Sequence, residues 1–367
     1  MIFLRIACLF LILFMPVAYG IEEVELDLKE EKKIEAIKTL REVDTQSQTS
    51  YLFEEVLTKH FDKSPIESAH LFGYYRAAFD MDINSDDEDF TYGFSSMSTG
   101  IDGDFKDGKT HYEMRFRFNP KHDCSFLQYL PSNMYIANTA IPHHTVVVGH
   151  TRTPTGYEGG KSLTTLPFYA YSQISRNFGN VRKVGARVKG NYSYIDYDLG
   201  GYSSDVYFTS FFPGAEFAGW ANVKPFGGKN KEKLGVLKLG GGITSGQRHG
   251  DYFVSGAYAG YERQKFSVDF EWAKADGYNG GKGYSSNKAE GFYTTVGYKV
   301  TPKTQLVARY DQFKPNLDKS TVKREYSAGV NYLIKGQTLK LMLNYIYCQN
   351  NTAKDSHKIL LGTQILL

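Results

Sequence analysis

The feature that most limits what this chain can fold into is a period of two. Along THYEMRFRF (residues 110–118), Tyr112, Met114, Phe116 and Phe118 share one face of an extended strand, while Glu113, Arg115 and Arg117 share the other. Successive side chains of a strand point to opposite sides, so the two faces meet different surroundings. Residues 265–272 repeat the pattern: Phe266, Val268, Phe270 and Trp272 oppose Lys265, Ser267, Asp269 and Glu271. Residues 339–347 set Leu339, Leu341, Leu343, Tyr345 and Tyr347 against Lys340 and Asn344. The chain even ends this way, in KILLGTQILL (358–367).

One face of such strands suits hydrocarbon and the other suits water. A tilted strand of about 9–11 residues crosses a bilayer. In lipid every backbone group needs an internal partner, so the sheet must close on itself. The expectation is an all-β transmembrane antiparallel barrel over residues 64–367, with KILLGTQILL as half of the closing seam. Sixteen strands are expected, an even number that leaves an aqueous lumen. A secreted β-sandwich or β-solenoid with one buried face is the rival reading. Composition favours an all-β protein in either case, with 28 Tyr, 25 Phe and 36 Gly against 2 Trp. Mean hydropathy is −0.40, and no segment beyond the leader offers the ~18 continuous apolar residues of a membrane helix.

The first 20 residues, MIFLRIACLFLILFMPVAYG, read as a signal peptide cleaved after Gly20: Arg5, an apolar run from Ile6 to Met15, then a small-residue exit. Residues 21–63 lack Gly and Pro and are rich in Glu, Lys, Leu and Ile, which are helix formers. They are either a periplasmic helical, coiled-coil stalk or a spacer.

From residue 64 alternation takes over. Strands are expected at 70–81, 90–105, 110–118, 132–140, 145–152, 181–197, 205–212 and 233–242, then in seven runs to the terminus. Asp107-Gly108 marks a tight hairpin, and Ile141 to His144 marks another short turn. Further on, tight turns at 262–264, 301–303 and 335–337 alternate with long polar loops at 276–289, 314–323 and 349–356. Turns at one end and loops at the other are the habit of transmembrane barrels.

LFGYYRAAFD (71–80), VVVGHTRTPTGYEGG (146–160) and the alternating terminal strand resemble the trimeric sixteen-stranded porins, most of all the phosphate-selective porin O/P family. The resemblance covers residues 64–367 in architecture. It implies a bacterial outer-membrane porin, a homotrimer set among outer-membrane lipid and lipopolysaccharide, and no enzymatic activity. Such barrels usually end in Phe, whereas this one ends in Leu367. Residues 21–63 resemble the trimerising stalk of some dicarboxylate porins. It also implies that the segment after the fifth strand, 153–180, folds inward and narrows the pore. Thr153, Glu158, Lys161 and Arg176 belong to this constriction loop, and Arg152 stands at its start.

The inward registers nearby are basic: Arg76, Arg115, Arg117, Lys183, Arg187 and Lys189, with Glu113 the main offset. The excess of basic over acidic residues is 3 for the whole chain and 7 over residues 64–367. Rings of Arg and Lys favour anions in a pore, so small anions such as phosphate are the expected solutes. The alternative is a non-conducting barrel acting as a surface adhesin or structural protein. Later inward registers are mixed, with Asp269, Glu271, Arg309, Asp311, Glu325 and Lys340.

Other chemistry finds little footing. His143, His144 and His150 lack neighbouring Cys or carboxylate ligands, so no metal site is expected. Gly227-Gly228-Lys229 lacks the rest of a phosphate-cradling loop, and no Gly-x-Ser-x-Gly elbow occurs. No cofactor and no nucleic-acid partner are expected. Cys124 and Cys348 are either a disulfide or two free thiols.

Overall fold

The alternating segments close into one sheet. A computed structural model describes residues 51–84, 88–118, 131–206, 210 and 212–367. A short strand β1 (Thr58–His60) precedes β2 (Ser68–Asn84), β3 (Glu88–Asp104), β4 (Thr110–Phe118), β5 (Pro131–Asn138) and β6 (His144–Arg152). Then come β7 (Arg182–Asn191), β8 (Ile195–Ser203), β9 (Ala215–Val223), β10 (Val236–Gln247), β11 (Asp251–Arg263) and β12 (Phe266–Gly280). The last five are β13 (Gly283–Lys299), β14 (Thr304–Lys314), β15 (Lys323–Lys335), β16 (Leu339–Asn350) and β17 (Ser356–Leu366).

Each strand from β2 to β17 pairs antiparallel with its neighbour in sequence, and β17 returns to β2 from Ser356↔Asn84 to Leu366↔Tyr74. These sixteen strands form a closed antiparallel barrel, and the terminal alternating run is half of its seam. The seam is finished by reciprocal bonds between Gly73 and Leu367, 2.9 and 2.7 Å. Where β17 stops, β1 takes over the edge of β2, with Thr58 opposite His70. Leu52 N also donates to Leu366 O at 3.1 Å. No strand edge is left for another chain to pair with at the seam.

The period of two sorts the faces as the sequence requires. Leu71, Ile101, Met114, Ile136, Val148 and Val184, one from each of β2 to β7, are exposed outward. Their neighbours Phe72, Asp102, Glu113, Tyr135, Val147 and Lys183 are buried. No helix among the described residues is long and apolar enough to cross a membrane.

Three expectations change. Residues 181–197 are two strands, not one: the chain reverses at Tyr192-Ser193-Tyr194, where Tyr192 N donates to Ile195 O at 2.9 Å. That turn has no Gly or Pro to announce it. The run 205–212 is not a strand at its described residues, and the missing partner is β9. Residues 276–289 are not a long loop. The β12–β13 ladder continues, past a register shift near Asp276, to Gly280↔Gly283. Conversely, the connection from β9 to β10, at the end bearing Leu367, is long. It holds a 3-10 turn (Gly228–Asn230) and helix α2 (Lys231–Leu234), preceded in the chain by helix α1 (Gln173–Asn177). The contrast between turns and loops is therefore weaker than the sequence implied.

The expected signal peptide and most of the 21–63 helix lie outside the described residues. The described end of that segment, 51–63, is made of turns and β1 rather than helix. Cys124 is also outside them. Cys348 is a half-buried free thiol.

Candidate functional site

The segment between β6 and β7 lies inside the barrel. Its neck is tied by Thr153 N donating to Val181 O at 3.1 Å and by Arg152 Nη1 donating to Asn180 Oδ1 at 2.7 Å. From there it crosses to the far wall. Gly156 has φ +78°, and a Cβ there would lie 2.8 Å from Glu271 Oε1. Only a glycine lets the backbone turn this close to the β12 carboxylate. The two N–H groups that follow are aimed at it: Tyr157 N and Glu158 N donate to Glu271 at 2.6 and 3.0 Å.

The rest of the segment is fastened strand by strand. Lys340 Nζ on β16 donates to Thr164 O and Leu166 O at 3.1 and 3.0 Å, and Gln364 on β17 donates to Thr164 O at 3.1 Å. Asn331 on β15 reaches Pro167 O at 2.8 Å, while Tyr169 N donates to Asn344 at 2.9 Å. Arg309 on β14 meets Glu158 at 2.6 Å, both side chains about 5% exposed. The start of helix α1 supplies unsatisfied N–H groups, and carboxylates meet them. Ser172 N donates to Glu158 at 2.8 Å and Gln173 N to Asp311 at 2.7 Å. Arg176 holds Glu325 at 2.7 Å. Below these bonds, Ile174 and Phe178 pack with Val254, Ala273, Tyr278, Tyr293 and Phe313, so β11 to β14 gain an apolar core within the lumen.

Most of the predicted basic residues stand on β2, β4, β6 and β7, whereas Lys161 lies in the segment itself, near Tyr157 and Asp269. Arg76 is fully buried, its guanidinium 4.0 Å over the Tyr169 ring. Arg115 pairs with Glu113 at 2.8 Å and lies over Phe72. Arg117 stands near Arg152 and Arg115, with Tyr74 and Tyr171 also within electrostatic range. Arg187 donates to Arg152 O and lies 3.5 Å from Asp198. Lys183 is buried against Glu216, with Asn279 O at 3.2 Å. Lys161 lies 3.7 Å over the Tyr157 ring. Burial pushes its ammonium pKa down, but Tyr157, Asp269 and Glu158 outweigh that and the net direction is up. At Arg176, likewise, burial is outweighed by Glu325 and the net direction is up.

Sequence reasoning missed Arg182, whose Nε donates to Asn133 Oδ1. Its register beside Lys183 reads as outward, yet its side chain is buried and reaches across to β5. Arg309 and Lys340 were visible as inward cations, but their task of holding the segment was not.

A space of about 470 Å³ remains beside the segment, toward the end bearing Leu367, lined by Tyr157, Lys189, Asp196, Asp198, Trp220 and Lys238 among others. A second space, of about 660 Å³, is lined by residues of β9 to β12, among them Ser245, Asp251, Phe253 and Asp276, and by none of the segment. No group of three or more His, Cys, Asp or Glu suited to a metal occurs among the described residues.

Comparison with known proteins gives a consistent result. No curated protein matches the sequence. The anion-selective porin from Comamonas acidovorans superposes with a TM-score of 0.61 at 12% identity, covering 82% of this chain and 99% of that one. OprB of Pseudomonas putida gives 0.59 at 11% identity, covering 82% and 94%. The outer-membrane channel DcaP of Acinetobacter baumannii gives 0.57 at 12% identity, covering 84% and 99%. At such identities these likenesses establish the fold and no more. The model of the phosphate-selective porin O and P family matches residues 237–365. Those residues, β10 to β17 in large part, carry that family's sequence pattern, and the barrel they complete has the sixteen-stranded architecture of an outer-membrane porin.

Proposed function

We propose that the barrel is a bacterial outer-membrane diffusion channel, water-filled and anion-preferring, for small solutes such as phosphate. It sits in the membrane as a homotrimer, exported by a cleaved leader, with the turns and chain termini facing the periplasm. It acts by selective passage and not by catalysis.

The observation that carries the anion preference is an asymmetry of charge across the lumen. Glu271, Asp311, Glu325 and Glu158 are engaged in holding the inward segment, through its N–H groups and through Arg176 and Arg309. On the β4–β6 side Arg117 stands near Arg152 and Arg115, the latter paired with Glu113. A group of like charges lowers the energy of an anion that comes between them, and Arg can hold phosphate or carboxylate oxygens in pairs. The narrowest passage is read as lying between this group and the inward segment.

The test is reconstitution into planar bilayers with chloride as the carrier. Phosphate added to one side should reduce chloride current more than an equal concentration of a neutral sugar does. Equal effects would remove the anion preference. A non-conducting adhesin or structural barrel would give no current steps at all.

A further inference from the structure

The end of the barrel that bears Leu367 carries an arc of cations. Helix α2, between β9 and β10, holds Lys231 and Lys233. The next turn on this end, between β11 and β12, holds Arg263 and Lys265, and the one after it holds Lys299 and Lys303. All six are exposed or half-exposed, and no ion pair to any of them occurs among the described residues. The acids in these turns are Glu232 and Glu262. The turns between β5 and β6 and between β7 and β8 carry no Lys or Arg, while the β3–β4 turn holds Lys106 and Lys109 with Asp107 between them and Lys335 ends β15, so the run of cations is densest from β9 to β14.

What sits beside these cations points to their partner. On the same flank large apolar residues are exposed: Leu239, Phe266, Tyr298, Val300 and Leu306 at or next to strand ends, and Leu234 at the end of helix α2. Phe266 directly follows Lys265, and Tyr298 directly precedes Lys299. Aromatic and apolar groups ending where Lys begins mark the level at which hydrocarbon gives way to headgroups. Basic clusters at that level attract anionic lipid, with a contribution that adds up per charge and falls within a Debye length. We infer that the β9–β14 flank binds the phosphate headgroups of anionic phospholipids in the membrane leaflet facing the periplasm. This rests on the barrel lying in a bilayer in the orientation given above. A second occupant, the glycan wall beyond the membrane, would need cations projecting away from the strand ends, whereas here they adjoin the lipid-facing side chains.

The test uses the full chain in detergent, with native mass spectrometry of lipid retained from equimolar phosphatidylglycerol and phosphatidylethanolamine. The wild-type protein should retain phosphatidylglycerol at least ~10-fold over phosphatidylethanolamine, and the preference should fall as salt rises. The combined variant K231Q/K233Q/R263Q/K265Q/K299Q/K303Q should lose that preference, while K282Q/K319Q at the opposite end should keep it. A gel band that shifts on heating confirms that each variant is folded. Equal retention of the two lipids by wild-type protein, an unchanged preference in the six-residue variant, displacement of the lipid by millimolar inorganic phosphate, or variant-sensitive binding to purified cell-wall sacculi without lipid preference would each overturn the inference. A protein that conducts but shows no lipid preference defeats the inference alone. One that stays dissolved without detergent defeats the channel reading as well.

Discussion

Replacing Glu271 should loosen the segment that narrows the lumen. The carboxylate is 1% exposed and accepts from Tyr157 N at 2.6 Å, Glu158 N at 3.0 Å and Tyr293 OH at 2.9 Å. In Glu271→Ala both backbone donors lose their acceptor in a buried place. A hydrogen bond to a charged group contributes about 1.5–3 kcal/mol, so the two backbone bonds together hold the segment by about 3–6 kcal/mol. Even the lower figure multiplies the ratio of displaced to seated segment by about a hundredfold. The loss falls on residues 154–160, because Lys340, Asn331 and Asn344 still hold 164–169. Glu271→Gln keeps one acceptor oxygen and should fall between the two. The pair Arg176–Glu325 is the contrast: its side chains are 35% and 20% exposed, so Glu325→Gln should cost at most about 1 kcal/mol. Single-channel recording in planar bilayers reads the outcome. Glu271→Ala should show a larger main conductance or switching between two levels, with Glu325→Gln close to wild type. A folded Glu271→Ala barrel with wild-type traces would refute the idea that this carboxylate seats the segment.

Further outcomes follow from the same geometry. Reversing Arg117 and Arg152 together to Glu should lower the chloride-to-potassium permeability ratio severalfold, since it inverts the cluster at the neck; an unchanged ratio would place the selective residues elsewhere. Arg309→Met leaves Glu158 buried without its partner and should cost about 3–5 kcal/mol, seen as a lowered unfolding midpoint in guanidinium, far more than Glu325→Gln costs. Gly280→Val should unseat helix α1, because any Cβ there would lie 1.7 Å from Asn177 O; the readout is increased proteolysis within 153–180. Deleting Leu366 and Leu367 removes the bonds to Gly73 and Leu52 and should lower the temperature at which the folded gel band converts to the unfolded one.

The strand map was legible wherever alternation was strict. At 110–118 the expected and observed limits coincide, because every residue there declares a face. It failed where the signals conflicted. Tyr192-Ser193-Tyr194 turns without Gly or Pro, so two strands read as one. AEFAGWANV (215–223) places small residues on both registers and hides β9. NGGKGYSS reads as a loop, yet Gly280 and Gly283 pair at the end of a ladder extended beyond the expected strand end. Period two put Arg76, Arg115 and Arg187 on the inward register, and their side chains lie on that side. The bonds that seat the inward segment join residues far apart in sequence, such as Glu158 and Arg309. Those contacts exist only because the sheet closes, so no local pattern could announce them.

The most direct test of the central claim is the zero-current potential of single channels across a tenfold KCl gradient at neutral pH. If the arginines of β4 and β6 set the passage, the dilute side should become negative as chloride moves ahead of potassium. A positive potential there would contradict the account.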